Sequence, residues 1–119
     1  MTDLTSRPAL FFVHGYPDNA AEWAPQFASF CFGKAAKYRC IAPTWANLHP
    51  DLPNAPDDEL TFAKQLSKLA ATAEAAGLTN ETDVTLWVHD WGSFLGYNLL
   101  WLNPGLFDRT ISFDIGADQ

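Results

Sequence analysis

The sequence predicts an α/β domain: a mostly parallel sheet of about four strands with helices on both faces. Three observations lead there. Short apolar runs of strand length alternate with longer segments of helical period, in the order strand, helix, strand, helix, strand, helix, strand. Such an order fits parallel neighbours joined by right-handed crossovers. The 119 residues suffice for one domain, expected over residues 1–119, and contain no internal repeat or low-complexity tract.

Each element has its own local reason. Ala9–Val13 (ALFFV) is a continuous apolar run closed by His14-Gly15, as expected of a strand buried on both faces. Asn19-Ala20-Ala21-Glu22 has capping-box spacing. It predicts a helix from about Ala20 to Phe32, with Trp23, Phe27 and Phe30 on one side and Gly33 as its stop. Tyr38–Ala42 (YRCIA) reads as a second strand ended by Pro43. Pro43–Asp58, with four prolines, reads as a loop. Asp57, Asp58 and Glu59 suit the start of a helix, whose apolar stripe is Phe62, Leu66, Leu69, Ala73 and Ala76, with Gly77 as C-cap. Asp83–Val88 is a third strand, Gly92–Leu102 an apolar helix stopped by Asn103-Pro104, and Thr110–Ile115 (TISFDI) a fourth strand.

Composition narrows the classes of function. With 48% hydrophobic residues, nine Phe, five Trp and three Tyr, the chain has the apolar surface that disordered chains lack. A formal charge of −7 repels nucleic-acid phosphates and anionic lipid, so no nucleic acid and no membrane are expected as partners. No run approaches the roughly 20 apolar residues of a membrane span. The amino-terminal apolar run is too short and too weakly basic for a signal peptide, which places the expected location in the cytosol. Cys31 and Cys40 form no metal pattern with the three histidines. Neither metal nor cofactor is expected, and both cysteines read as buried thiols. His49 reads as a surface or lid-contact residue, His14 and His89 as structural hydrogen-bonders, and Asn80-Glu81-Thr82 as an idle glycosylation sequon.

The most informative segment is Leu86–Gly96 (LWVHDWGSFLG), where an apolar strand runs directly into an apolar helix. Asp90 stands at the apex of the turn, and Gly92 lets the helix approach the strand. This is the layout of a nucleophile elbow with Asp at its centre. A carboxylate there can displace a leaving group at carbon and form an ester. The helix amino-terminus behind it favours the charged form and brings amide donors. The plainer reading of Asp90 is a helix N-cap, and that of Gly92 and Gly96 is close helix–sheet packing. Ser93 lacks the G-x-S-x-G frame of a serine nucleophile.

Two motifs, His14-Gly15-Tyr16-Pro17-Asp18 after the first strand and His89-Asp90-Trp91-Gly92-Ser93 at the elbow, resemble the α/β-hydrolase superfamily on the branch of epoxide hydrolases and haloalkane dehalogenases. The resemblance implies Asp90 as nucleophile and the backbone N–H groups of Tyr16 and Trp91 as the oxyanion hole. It implies Asp114 as the candidate acid and the Trp91 indole as a candidate halide donor. Tyr16, where dehalogenases usually have Asn, points to the epoxide-hydrolase side. Val88 stands where relatives usually have Gly and is expected to crowd the turn. Tyr16-Pro17 is expected as a cis peptide.

The same resemblance implies a partial α/β-hydrolase fold, with strands in the spatial order second, first, third, fourth. The cap domain, the last strands and the water-activating His are expected to be absent. Complete relatives would take a small apolar epoxide or halogenated substrate. This chain would then be a truncated hydrolase unable to turn over alone. The alternatives are a non-catalytic binding or interaction module, or a half-enzyme completed by another chain. Exposed sheet edges imply self-association.

Overall fold

The computed structural model describes residues 7–15, 19–32, 37–44 and 61–113. The elements are β1 (Ala9–Val13), a 3₁₀ turn (Ala20–Trp23), α1 (Ala24–Phe30), β2 (Arg39–Ile41), α2 (Phe62–Ala75), β3 (Val84–His89), α3 (Trp91–Leu102) and β4 (Arg109–Phe113). The strands form one parallel sheet in the order β2-β1-β3-β4, as the sequence implies.

The period-two alternation of the strands divides the core between the two faces of the sheet. On one face Ala9, Phe11 and Val13 of β1 meet Val84, Leu86 and Val88 of β3, under Leu69 and Ala73 of α2 and Leu95 and Leu99 of α3. Burying a side chain the size of Phe11, which has no exposed surface, contributes about 2–3 kcal/mol. On the other face Leu10 and Phe12 pack with Trp23, Phe27, Phe30 and Trp87. The helical spacing of Trp23, Phe27 and Phe30 therefore serves the purpose read from it. Helix α2 is capped at Thr61, whose hydroxyl accepts the Lys64 N–H, and ends on Gly77 as expected. There the Leu78 N–H reaches the Ala73 carbonyl and the Gly77 N–H the Glu74 carbonyl, and Leu78 returns to the core.

Several expectations need correction. The first helix is not one continuous α-helix to Phe32 but a 3₁₀ turn followed by α1, which ends at Phe30; Gly33 lies outside the described residues. The capping box does not form. The Asn19 side chain accepts from Ala21, and the Glu22 side chain leads elsewhere. Cys31 and Cys40 are not free thiols. The end of α1 lies beside β2 with their Cα atoms 6.0 Å apart, and the two sulfurs are bonded. Burial on both faces, read for Ala9–Val13, holds for β1, whereas β4 is exposed at four of its five positions.

Candidate active site

The register of β1 on β3 sets the site. Val13 pairs with Val88, so the segments that follow, His14-Gly15 and His89-Asp90, leave the carboxyl edge of the sheet side by side. They then come closer than side chains would allow. A Cβ built on Gly15 would lie 2.8 Å from the Asp90 Cβ and 2.9 Å from the His89 Nδ1. Helix α3 is seated as tightly, because a Cβ on Gly92 would fall 2.3 Å from the His14 carbonyl oxygen and 2.4 Å from that of Val13. Gly96 answers the crowding expected from Val88. It faces Val88 Cγ1, which would sit 2.4 Å from any Cβ there, so the bulk before the turn fits against a residue without a side chain.

Asp90 itself has φ 55° and ψ −128°, making it the sole non-glycine residue with positive φ among the described residues. Such a conformation costs of order 1–3 kcal/mol and is characteristic of functional positions. It also argues against the N-cap reading, since the Asp90 side chain makes no capping bond to α3. The backbone around it is held. The Asp90 N–H donates to the Phe113 carbonyl at 3.3 Å, and the Ser93 N–H to the Asp90 carbonyl at 2.9 Å. Ser93 is fully buried and its hydroxyl has no hydrogen-bond partner among the described residues, which leaves it no access to a substrate. Trp91 is half exposed and meets the ring of Phe94 edge-on.

Both histidines next to the turns are hydrogen-bonded, as expected. The His14 ring, fully buried, donates from Nδ1 to the Gly15 carbonyl at 2.7 Å; a carbonyl only accepts, so the proton is on Nδ1. The His89 Nδ1 lies 3.1 Å from Glu22 Oε2, while Glu22 Oε1 accepts the Gly15 N–H at 2.8 Å. A cleft of about 290 Å³ opens beside this pair, lined by Glu22, Trp23, Gln26, His89 and Phe113.

Thus the structure brings together Asp90, Trp91 and the His14-Gly15 segment. Tyr16, Pro17, His49 and Asp114 lie outside the described residues, and with them the expected cis peptide. Sequence reasoning missed Glu22. Its partners are 7 and 67 residues away, and its spacing from Asn19 suggested a cap. Among the described residues no group of His, Cys, Asp and Glu could hold a metal ion, and no helix is long and apolar enough to cross a membrane.

A four-stranded parallel sheet in this order, with a strained residue between strand and helix at its carboxyl edge, defines the amino-terminal portion of an α/β hydrolase. The chain belongs to the alpha/beta hydrolase family, which it matches over residues 10–116. It is 27% identical over 118 residues to an epoxide hydrolase of Caballeronia sordidicola, covering 97% of this chain and 33% of the relative. With epoxide hydrolase 1 of Caenorhabditis elegans it shares 29% identity over 119 residues, covering 96% of this chain and 26% of that protein. Among solved structures, one of the epoxide hydrolases from hot-environment metagenomes superposes with a TM-score of 0.74 at 25% identity, covering 91% of this chain and 34% of the other. An epoxide hydrolase from Vigna radiata superposes with a TM-score of 0.73 at 21% identity, covering 92% and 32%. The chain therefore spans about a quarter to a third of the curated relatives' length.

Proposed function

We propose that this chain carries the nucleophile-bearing part of an epoxide-opening hydrolase, with Asp90 as the nucleophile of a nucleophile elbow. The carrying observation is the Asp90 backbone, φ 55° and ψ −128°, at the mouth of a turn pressed against Gly15. In this reading the Asp90 carboxylate attacks an epoxide carbon, the C–O bond breaks, and the opened oxygen takes a proton from solvent or a neighbouring acid. An ester on Asp90 remains. The backbone amides of Tyr16 and Trp91 would serve the oxyanion when that ester is hydrolysed, with Asp114 as the candidate acid.

Hydrolysis needs a water-activating base. The described histidines are committed elsewhere, His14 to Gly15 and His89 to Glu22. This chain by itself would stop at the ester. The relatives' names favour an epoxide; a haloalkane, with the Trp91 indole receiving the halide, is the second electrophile to try. The half-enzyme alternative draws on one specific observation. Trp91, Phe94, Ile111 and Phe113 are large, apolar and exposed near the same end of the sheet, where a second chain could cover them.

Intact-mass measurement after incubation with a reactive epoxide tests the reading. The expected result is one adduct per chain, lost in Asp90→Asn and Asp90→Ala. No adduct on the wild-type chain supports a binding module instead. Sustained diol formation would contradict the missing-base account.

A further inference from the structure

Glu22 is half-buried, and both of its carboxylate oxygens reach partners outside the turn it belongs to. A capping role would have sent the side chain back to Asn19. Instead Oε1 accepts the Gly15 N–H at 2.8 Å and Oε2 meets the His89 ring at 3.1 Å. The paired strand register ends at Val13 and Val88, two residues before Gly15 and one before His89. Glu22 therefore links the two strand ends just where β-pairing stops.

The turn that presents it is itself anchored. The Asn19 side chain accepts from Ala21, and the Thr44 hydroxyl accepts the Ala20 N–H at 3.1 Å. The neighbouring Trp23 is buried against Phe12, with ring centroids 5.1 Å apart. On the far side of Gly15, its carbonyl is held by His14. Gly15 is thus fixed at both its N–H and its C=O, on a segment so close to the elbow that a Cβ built on Gly15 would lie 2.8 Å from the Asp90 Cβ. A carboxylate taken out of water needs partners on both oxygens, and charge-assisted bonds of this kind are about twice as strong as neutral ones.

We infer that Glu22 is a positioning residue: its carboxylate ties the Gly15 segment to the His89-Asp90 turn and so fixes the oxyanion-side backbone against the attacking carboxylate. The inference rests on the proposed role of Asp90, and the experiment separates the two.

The full chain, labelled with nitrogen-15, is compared with Glu22→Ala, Glu22→Gln and Glu22→Asp. Glu22→Ala should move the Gly15 amide resonance upfield and shift the amides of Trp91 and Ser93 as well. It should slow Asp90 alkylation at saturating epoxide by about tenfold or more, as misplacement of a reacting group does, with the half-saturating concentration unchanged. Glu22→Gln keeps an oxygen for the Gly15 N–H and should stay within about threefold of wild type, the net worth of one neutral hydrogen bond. Glu22→Asp keeps the charge but falls a methylene short of spanning both donors, and should behave like Glu22→Ala. It decides the question if the alanine variant does not fold.

A Gly15 amide indifferent to Glu22→Ala overturns the inference, as does a Gly15 response with no change at Trp91 and Ser93. Normal alkylation in Glu22→Ala overturns it too. A wild-type chain that takes no adduct refutes the nucleophile reading, and the amide shifts then decide the tie by themselves.

Discussion

β1 and β4 are both five residues long, both apolar or β-branched in their middles, and both paired in parallel to the same sheet, yet every residue of β1 is buried while four of β4 are exposed. The difference lies in their neighbours. β1 has a strand on each side, α2 and α3 over one face and α1 with the 3₁₀ turn over the other. Among the described residues β4 has a single strand beside it, and Ile111 and Phe113 keep 37% and 41% of their surface in contact with solvent. Strand character is thus a local property, and burial a property of whatever else is present.

The largest expected contrast between the two strands is in stability. Phe11→Ala should destabilise the chain by about 3–5 kcal/mol, the cost of removing a fully buried aromatic ring. Ile111→Ala should cost less than about 1 kcal/mol, as surface changes do. Urea denaturation of the two variants measures the difference. Equal losses would break the comparison, because they would mean that β4 is covered in solution.

Association comes next. An edge that pairs with no further strand among the described residues, with Ile111 and Phe113 on it, is a template for another strand, so we expect concentration-dependent association that Ile111→Lys reduces several-fold. Sedimentation velocity across a concentration series reads it. A wild-type chain that stays monomeric throughout would show that β4 is protected by other means.

The smallest effect is electrostatic and belongs to the start of β4. Arg109 donates to the Asp83 carboxylate at 2.7 Å and to the Thr85 hydroxyl at 2.9 Å. The Arg109 hydrogen bond holds the Asp83 carboxyl below its ordinary value; it outweighs the opposing effect of burial, and the Arg109 charge adds to it. A lowered carboxylate pKa stabilises the fold above the unfolded value, ~3.9, and that contribution is lost as pH falls through the lowered value. Both side chains are about half exposed, so salt and solvent screen the pair. Asp83→Asn should lower the melting temperature slightly on the neutral side, where the contribution is present, and leave the acid side almost unchanged, so that the decline towards acid is shallower. An equal drop at both ends would point to lost packing instead of lost charge.

Much of this was legible in the sequence. The runs ALFFV and VTLWV read as strands because they are short, rich in aromatic and β-branched residues and closed by turn residues. The spacing of Trp23, Phe27 and Phe30 gives the face that α1 buries, and the pair of motifs around Gly15 and Asp90 gives the sheet order. Glu22 was not legible, because its spacing from Asn19 matches a cap and its true partners meet only after the strands align. The Cys31–Cys40 bond was hidden for a similar reason: it depends on α1 packing next to β2, which no local pattern records. The exposure of β4 follows from its edge place in the order that the resemblance implies, and not from its own residues, since a strand's sequence does not say how many neighbours it has.

The backbone of Asp90 has a consequence for the history of this gene. Glycine reaches a φ of 55° without the penalty an aspartate bears, so at position 90 the fold alone would prefer glycine. Drift under selection for solubility and abundance alone should therefore erase the carboxylate early, before it touches the core around Phe11. Sequencing position 90 across many natural isolates would read, without any assay, whether selection still acts on chemistry or only on folding.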